Sequence, residues 1–471
     1  MCTSILAGKK ATGEGLIIIA RDEDFDENNW NKYLKPMRAP QYVTDDNCVR
    51  DGKWQLGNGL KVPVPSKKLR YCSCPDAVGS LEASCSVGDH YYFEERGFNE
   101  KNVMMSATNS MEINAKAREA DGVVPVGIEE SIILTLILPQ AETALEAVRL
   151  LGHYVEEYGA MEANGIAIAD KKEIWYMEIG SGHHWIAVRI PQECYLVIAN
   201  CMRIRNIDLD DTENVQCSKG LYDFTVEKHL LDEPCRNCFD FAGAFGYYGK
   251  SGENPDPYYN VDRLWLAQHM LTPSRKQEIR QEEYPLFLEP DDSITVEKVA
   301  EVLRAGYAGT PLENLSTRPI GVARTAESHI LTMDASMPEG LEGMMWQTVG
   351  TPLGCPFMPI YPFMESLPDA YALGNSEYDG NSAYWRFRGL FSAASCMGEA
   401  ASEEIRSMWK CQEEELFRQF GTFRHSLRKL AADDAEQAKE YMQAYSMGIL
   451  LRMMEKAERK QKELFTRMSK I

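Results

Sequence analysis

The chain opens with Met1-Cys2-Thr3-Ser4-Ile5-Leu6-Ala7-Gly8, and a second apolar segment, Leu16-Ile17-Ile18-Ile19-Ala20, runs directly into Arg21-Asp22-Glu23-Asp24. The first segment alternates like a half-buried strand, and the residues between the two segments are rich in Gly, Lys and Thr, as in a turn. This pattern predicts a β-hairpin. Its return strand would bring Arg21 and Asp24 beside Cys2.

Cys2 follows the initiator methionine. If Met1 is removed, this residue carries a thiol and a free α-amine. An α-amine titrates near pH ~8, so part of it is unprotonated at neutral pH and can accept the thiol proton. The alternative interpretation is that Cys2 is a small buried hydrophobic residue ahead of a charged loop.

Composition limits the classes of function. The 471 residues are 44% hydrophobic and 26% charged, a balance typical of globular proteins with a substantial core. The net charge of −21 opposes binding to nucleic acid or to an anionic membrane. Small or cationic ligands remain compatible with this charge.

We find no sequence pattern typical of a signal peptide or a membrane-spanning helix. The N-terminus lacks the pattern of a signal peptide, and the longest apolar run, 132–139, is too short to cross a bilayer. Thirteen cysteines, an odd number, favour reduced thiols in a cytoplasm. The Cys72/Cys74 and Cys235/Cys238 pairs lack a second pair at zinc spacing, which leaves a metal site as the minor interpretation.

The remaining periodicities indicate sheets covered by helices. Apolar residues at helical spacing predict a helix over about 142–157, and residues 164–202 read as a meander of consecutive antiparallel strands. A further strand group surrounds 318–333, and the chain is helical from about 402 onward, with Asp433 and Asp434 as candidate caps. We therefore expect a catalytic domain over 1–395 and a helical extension over 396–471, which would serve packing or a homo-oligomer interface.

Several motifs resemble a known family. They are Cys2-Thr3-Ser4-Ile5-Leu6, Ala20-Arg21-Asp22-Glu23-Asp24, Gly97-Phe98-Asn99-Glu100-Lys101, Gly180-Ser181-Gly182-His183-His184-Trp185-Ile186-Ala187, Ile198-Ala199-Asn200-Cys201-Met202-Arg203-Ile204, Arg318-Pro319-Ile320 and Glu327-Ser328-His329. Together they resemble the dipeptidase A and secernin family of cysteine-type N-terminal nucleophile (Ntn) hydrolases, more distantly similar to choloylglycine hydrolases and penicillin V acylases. The resemblance spans most of the chain ahead of the C-terminal helices.

This resemblance implies an α+β fold, a four-layer αββα sandwich of two antiparallel sheets, and hydrolysis of amide bonds. It makes Cys2 the nucleophile, with Arg21 tuning the thiol and Asp24 holding the α-amine. By order and local motif, Asn109 and Asn200 match oxyanion-hole groups and Arg318 matches a further active-site arginine, with Arg324 as the runner-up. Asparagine amides suit that task because a tetrahedral oxyanion needs neutral donors held rigidly. The alternatives are a turn-forming or β-bulge asparagine at 109 or 200 and a surface ion pair at Arg318.

Two departures from the family pattern concern Asn102, where a glycine is common, and Asn109, where many dipeptidase-type members have an acidic residue. The second bears on substrate preference. His183, His184 and His329 are interpreted as structural or substrate-lining, because an N-terminal nucleophile does not require a Cys/His pair.

The resulting hypothesis is a cytoplasmic cysteine-type dipeptidase acting on small peptides after Met1 removal by methionine aminopeptidase, with no metal or organic cofactor. The alternatives are an N-acyl amidase, a secernin-like regulatory protein with little turnover, and a zinc-binding module.

Overall fold

Two antiparallel β-sheets lie face to face in this computed structural model, which describes residues 2–25, 31–77, 93–247, 256–374 and 377–470. Contacts between the two sheets include those of residues 17–24 with residues 104–111 and 163–169. In chain order the strands are β1 Thr3–Ala7, β2 Ile17–Asp24, β3 Lys35–Arg38, β4 Val49–Arg50, β5 Lys53–Gln55, β6 Lys61–Pro63, β7 Tyr71–Pro75, β8 Glu94–Asn99, β9 Met104–Met111, β10 Ala163–Ala169, β11 Ile174–Ile179, β12 Trp185–Arg189, β13 Tyr195–Ile198, β14 Val215–Cys217, β15 Thr325–Met333, β16 Gly343–Gln347 and β17 Met358–Ile360.

The six-stranded sheet has the order β13-β1-β2-β15-β16-β17, and the eight-stranded sheet the order β14-β12-β11-β10-β9-β8-β7-β3. Strands β4 to β6 form a small third sheet. The helices are α1 Gln41–Thr44, α2 Ala115–Ala120, α3 Glu130–Ile137, α4 Ala144–Tyr158, α5 Leu221–Glu227, α6 Phe241–Phe245, α7 Val261–Leu271, α8 Val296–Leu303, α9 Ala383–Met397, α10 Glu399–Asp433 and α11 Ala435–Met468.

Helices cover the outer face of each sheet. Helices α3 and α4 pack on the eight-stranded sheet, while α7 and α8 pack on the six-stranded sheet. Each sheet is therefore buried on both faces, which explains why β1 and β2 are buried along their whole length. The predicted four-layer αββα sandwich is confirmed.

The predicted N-terminal hairpin is present. Thr3 pairs with Asp22 and Ser4 with Arg21. Strand β13 pairs with the other edge of β1, so the hairpin lies inside the sheet. The charged end of β2, from Arg21 to Asp24, is consequently buried rather than part of a surface loop.

The meander prediction is wrong at its fourth strand. Strands β10, β11 and β12 pair in sequence, but β13 crosses to the other sheet and pairs with β1, while β14 takes the place beside β12. Alternation along a strand identifies its faces but not its neighbour, so sequence order suggested the wrong partner. This crossing brings Asn200, which follows β13, toward the N-terminus.

The strand expected around 318–333 begins only at Thr325. Arg318 and Arg324 therefore lie in the preceding loop and not on a common strand. Pro319 and Gly321 separate the two arginines from each other, and neither residue type favours a continuous strand.

Three helices form the C-terminal region. Helices α9, α10 and α11 contact one another, and α11 contacts β17. The side chain of Asp434 accepts from Gln437 N at 3.0 Å, which confirms its predicted capping role. The boundary expected between residues 395 and 396 falls inside α9.

Among the described helices, we find none whose length and apolarity would allow it to cross a membrane.

Candidate active site

Cys2 lies immediately before β1 and is 4% exposed. Its carbonyl oxygen accepts from Arg263 Nη1 at 2.8 Å. Because side chains two residues apart share one face of a strand, Cys2 and Ser4 are directed toward the same side of the sheet. That side meets Asn109 of the opposite sheet, so Cys2 lies between the two sheets.

Arg21 lies beside the Cys2 thiol. Its Nη1 is 3.5 Å from Cys2 Sγ and donates to Thr108 O at 2.5 Å, while Nη2 donates to Glu95 Oε2 at 2.5 Å. Burial acts to lower the pKa of Arg21, but the charges of Glu95 and Cys2 outweigh it and raise that pKa well above its usual value. A guanidinium held in this position stabilises a thiolate.

A buried ion cluster lies behind Arg21. Glu23 Oε2 is 3.5 Å from Arg21 Nη2, Lys32 Nζ contacts Glu23, and Lys32 also lies 2.7 Å from Asp76. Burial raises the pKa of Glu23 to about 8, although the charges of Lys32 and Arg21 oppose it. The cluster approaches Arg21 at Nη2, whereas the Cys2 thiol lies near Nη1.

Asp24 and Arg318 form a buried ion pair. Thr325 Oγ1 donates to the other carboxylate oxygen of Asp24 at 2.6 Å, and Arg318 Nε donates to the Tyr259 hydroxyl at 3.2 Å. Burial acts to lower the pKa of Arg318, and the charge of Asp24 more than offsets it and raises that pKa. Arg324 reaches the same Tyr259 hydroxyl at 3.4 Å, so both candidate arginines belong to this cluster.

Asn109 is buried at the inner face of β9. Its Oδ1 accepts from Ser4 Oγ at 2.6 Å. Its Nδ2 has no hydrogen-bond partner among the described residues, although it is shielded from solvent. An unpaired buried donor requires an explanation, and a catalytic role is one such explanation.

Asn200 is half-buried and held by four hydrogen bonds, one of which Asn260 Nδ2 donates to its carbonyl oxygen at 3.2 Å. Its Nδ2 donates to Ser110 O at 3.0 Å, its Oδ1 accepts from Arg263 Nη2 at 2.9 Å, and its backbone N donates to Asn260 Oδ1 at 3.1 Å. The amide thus connects the end of β9 to helix α7. One of its two side-chain hydrogens remains for a ligand.

The sequence-based prediction missed Arg263. This fully buried arginine also donates to Thr3 Oγ1 at 2.9 Å, which ties α7 to the start of β1. Burial lowers the pKa of Arg263 to about 10, and the nearby charge of Arg318 contributes. The signal available in the sequence was an arginine that follows Asp262 in a helix whose other nearby residues, Val261, Leu264 and Trp265, are apolar.

The histidines make structural contacts. His183 Nδ1 lies 2.9 Å from Asp121 Oδ1, and His184 Nδ1 lies 2.9 Å from Ser218 Oγ. His329 lies between Glu327, at 2.7 Å, and Ser106, at 2.9 Å. None of these contacts involves the Cys2 thiol.

The cysteine pairs depart from expectation at one place. Cys235 and Cys238 form a disulfide. Their Cα atoms lie 5.2 Å apart, within the range that a disulfide spans. Both thiols are thereby unavailable to zinc. Within the described ranges, no three His, Cys, Asp or Glu side chains converge as a metal-binding group.

Comparison with known proteins identifies the family. Residues 1–410 match the family model described as Peptidase family C69. The chain belongs to this peptidase family. The resemblance seen in the motifs is confirmed, and so is the prediction of a peptidase.

Relatives of this peptidase family match at similar length. A probable dipeptidase from Latilactobacillus sakei is 33% identical over 398 residues, which covers 83% of this chain and 80% of that protein. A probable dipeptidase from Salmonella dublin is 35% identical over 374 residues, with 77% and 81% covered. The conjugated bile acid hydrolase of Clostridium perfringens, in a solved structure, shows 13% identity and a TM-score of 0.28, over 74% of this chain and 89% of that one.

Proposed function

We propose that this peptidase is a cysteine-type dipeptidase in which Cys2, freed by removal of Met1, is the nucleophile. The observation that carries the proposal is the approach of Arg21 Nη1 to the buried Cys2 Sγ, 3.5 Å away, at the start of a central strand. The names of the family relatives support dipeptides as the substrate class. Met1 itself lies outside the described residues.

The first half-reaction forms a thioester. The α-amine of Cys2 accepts the thiol proton, and Sγ attacks the carbonyl carbon of the scissile peptide bond. The α-ammonium then donates that proton to the leaving amine, and the C-terminal amino acid departs. In the proposal Asp24 holds the ammonium, and Arg318 is the cation that keeps the Asp24 carboxylate in place.

The second half-reaction regenerates the enzyme. The same α-amine takes a proton from water, which attacks the thioester carbonyl carbon. The bond between this carbon and Sγ then breaks, the N-terminal amino acid leaves, and the ammonium returns the proton to the thiolate. Both half-reactions develop a negative charge on the carbonyl oxygen. Asn109 Nδ2, which lacks a partner among the described residues, and the remaining hydrogen of Asn200 Nδ2 are the proposed donors to it.

Intact-mass measurement before and after a small thiol-reactive acylating probe tests the nucleophile. We expect loss of Met1 and one adduct, mapped to Cys2, while a Cys2→Ala variant takes none at that position. Cys396 and Cys411 are exposed and serve as internal references for ordinary thiols. Retained Met1, with Cys2 no more reactive than these two, would contradict the proposal.

A matched variant separates processing from chemistry. Insertion of one glutamine between Met1 and Cys2 should block methionine removal, because the aminopeptidase accepts a small second residue. This variant retains the thiol but has no free α-amine on Cys2, so we expect no turnover. A panel of dipeptides against N-acyl amino acids then separates a dipeptidase from an acylase, since only the dipeptide offers a free ammonium.

The proposal extends to the rest of the chain. We infer that the helical extension packs on the catalytic sandwich and carries a homo-oligomer contact, supported by exposed Tyr441, Leu451 and Phe465. Sedimentation of the purified protein tests this oligomer. Ten free cysteines among the described residues support a cytoplasmic location.

A further inference from the structure

Among the described residues, the Ser4 side chain makes one hydrogen bond, which it donates to Asn109. The hydroxyl donates to Asn109 Oδ1 at 2.6 Å, and the two residues are 2% and 3% exposed. They come from opposite sheets, β1 and β9, so the bond joins the strand that follows Cys2 to the strand that carries the proposed oxyanion donor. The amide nitrogen of Asn109 is left without a partner among the described residues.

The two ends of an asparagine amide differ in chemistry. The oxygen accepts hydrogen bonds, whereas the nitrogen only donates them. If the amide were flipped, its nitrogen would face Ser4 Oγ, and the hydroxyl proton would lose its acceptor in a buried site. A buried donor without an acceptor destabilises the orientation that leaves it unsatisfied. The hydroxyl therefore favours the orientation in which Nδ2 is the free end.

Asn200 shows the same arrangement. Its Oδ1 accepts from Arg263 Nη2 at 2.9 Å, and a guanidinium cannot accept a hydrogen bond in return. In both asparagines a neighbouring donor occupies the oxygen and directs the nitrogen elsewhere. The pairing of Ser4 with Asn109 is the one that leaves the nitrogen wholly unpaired within the described part of the chain.

We propose that Ser4 is a positioning residue, which holds the Asn109 amide so that Nδ2 donates to the oxyanion formed at Cys2. The inference rests on the proposed function. Ser4 does not touch the substrate. Ser4 affects catalysis by orienting Asn109. Its loss should therefore weaken stabilisation of the transition state and leave substrate binding unchanged.

A double-mutant cycle over Ser4→Ala and Asn109→Ala tests the inference. Removing one oxyanion donor typically costs about 100- to 1000-fold in kcat, so we expect Ser4→Ala to lower kcat by roughly 10- to 100-fold. KM should stay within about threefold, because the ground state does not use this donor. In the Asn109→Ala background, Ser4→Ala should change kcat by less than about threefold.

Three further measurements separate positioning from a structural effect. Ser4→Thr retains a hydroxyl and should restore most of kcat. A dipeptide aldehyde, whose adduct with Cys2 carries an oxyanion, should bind Ser4→Ala more weakly by about the same factor as the loss in kcat. Ser106→Ala is the matched control, since it deletes a serine hydroxyl of β9 that is equally buried but faces His329.

The outcomes are distinguishable. An active wild-type enzyme in which Ser4→Ala is without effect, or in which its effect is undiminished by Asn109→Ala, overturns the role of Ser4 alone. A Ser106→Ala variant as impaired as Ser4→Ala does the same. A wild-type protein that lacks Met1 but hydrolyses no dipeptide rejects the proposed function, and the inference falls with it.

Discussion

Arg21 donates to Glu95 across the two sheets at 2.5 Å, and the other terminal nitrogen of the same guanidinium lies 3.5 Å from the Cys2 thiol. Arg21 belongs to β2 and Glu95 to β8. Both side chains are almost completely buried. The contact with Glu95 therefore helps to position the positive charge of Arg21 relative to the Cys2 thiol, the proposed nucleophile.

The first prediction concerns this acceptor. Glu95→Ala should lower the rate of Cys2 alkylation at pH 7 by roughly 10-fold, or about 1.4 kcal/mol, because the guanidinium loses one of the acceptors that hold it. Glu95→Gln retains an acceptor oxygen and should stay within about threefold of wild type. Glu94→Gln is the control, since Glu94 lies next in sequence but accepts from Lys35, Tyr71, Ser73 and Thr135. Equal losses in the Ala and Gln variants would show that the charge matters, not the acceptor.

The second prediction concerns Arg263. Arg263→Met removes the donors to Cys2 O, Thr3 Oγ1 and Asn200 Oδ1 while retaining much of the side-chain volume. We expect dipeptide turnover to fall by at least about 100-fold, a loss typical of a misplaced oxyanion donor. Kinetics and thermal unfolding measured together check it. Full activity in a folded Arg263→Met variant would show that Arg263 is not needed for turnover.

The third prediction separates the two loop arginines. Arg318→Met leaves the buried Asp24 carboxylate without its ion-pair partner, so we expect both stability and turnover to fall. Arg324→Met should have a smaller effect, because it leaves the buried ion pair of Arg318 with Asp24 intact. Parallel kcat/KM and urea-unfolding measurements on the two variants make the comparison. A larger loss for Arg324→Met would reverse the assignment.

The fourth prediction concerns stability in acid. Burial lowers the pKa of His329 from 6.5 to about 4, against the opposing charge of Glu327. Between those values the unfolded imidazole binds a proton that the folded one does not, so this residue's contribution to stability decreases as the pH falls from about 6.5 to 4. The loss is about 3 kcal/mol.

His329→Gln should accordingly flatten the fall of the free energy of unfolding between pH 6.5 and 4, measured by urea titration. His153→Gln, on the exposed face of α4, should leave the slope unchanged. A slope unaltered in His329→Gln would mean that other groups cause the acid sensitivity.

The fifth prediction concerns the helical extension. Glu413 of α10 accepts from Arg304 at 2.6 and 2.9 Å and from Phe357 N at 2.5 Å. Glu413→Ala leaves these donors without that acceptor and should destabilise the chain by about 3 kcal/mol in one cooperative transition. Glu414→Ala, on the exposed neighbouring position, should have almost no effect. A separate unfolding transition for the extension would show that it folds as an independent unit.

One part of the site, Cys2 with Arg21, could be predicted because the two residues lie close together along the chain. The hairpin of β1 and β2 follows from local alternation and a turn, and its register brings the backbone of Arg21 close to Cys2. Family motifs added Asn109, Asn200 and Arg318. The roles of Glu95, Ser4 and Arg263 were not predicted. The sequence around a buried carboxylate, serine or arginine does not show which residue it contacts.

The sequence by itself determined the N-terminal hairpin, the apolar faces that form the two sheets and the family of the chain, since these depend on periodicity and short motifs. Only the tertiary structure decided that β13 crosses to β1, that Glu95 and Thr108 hold Arg21, and that Ser4 meets Asn109. These contacts join residues 74 to 194 positions apart, and register between separate sheets depends on how the whole core packs.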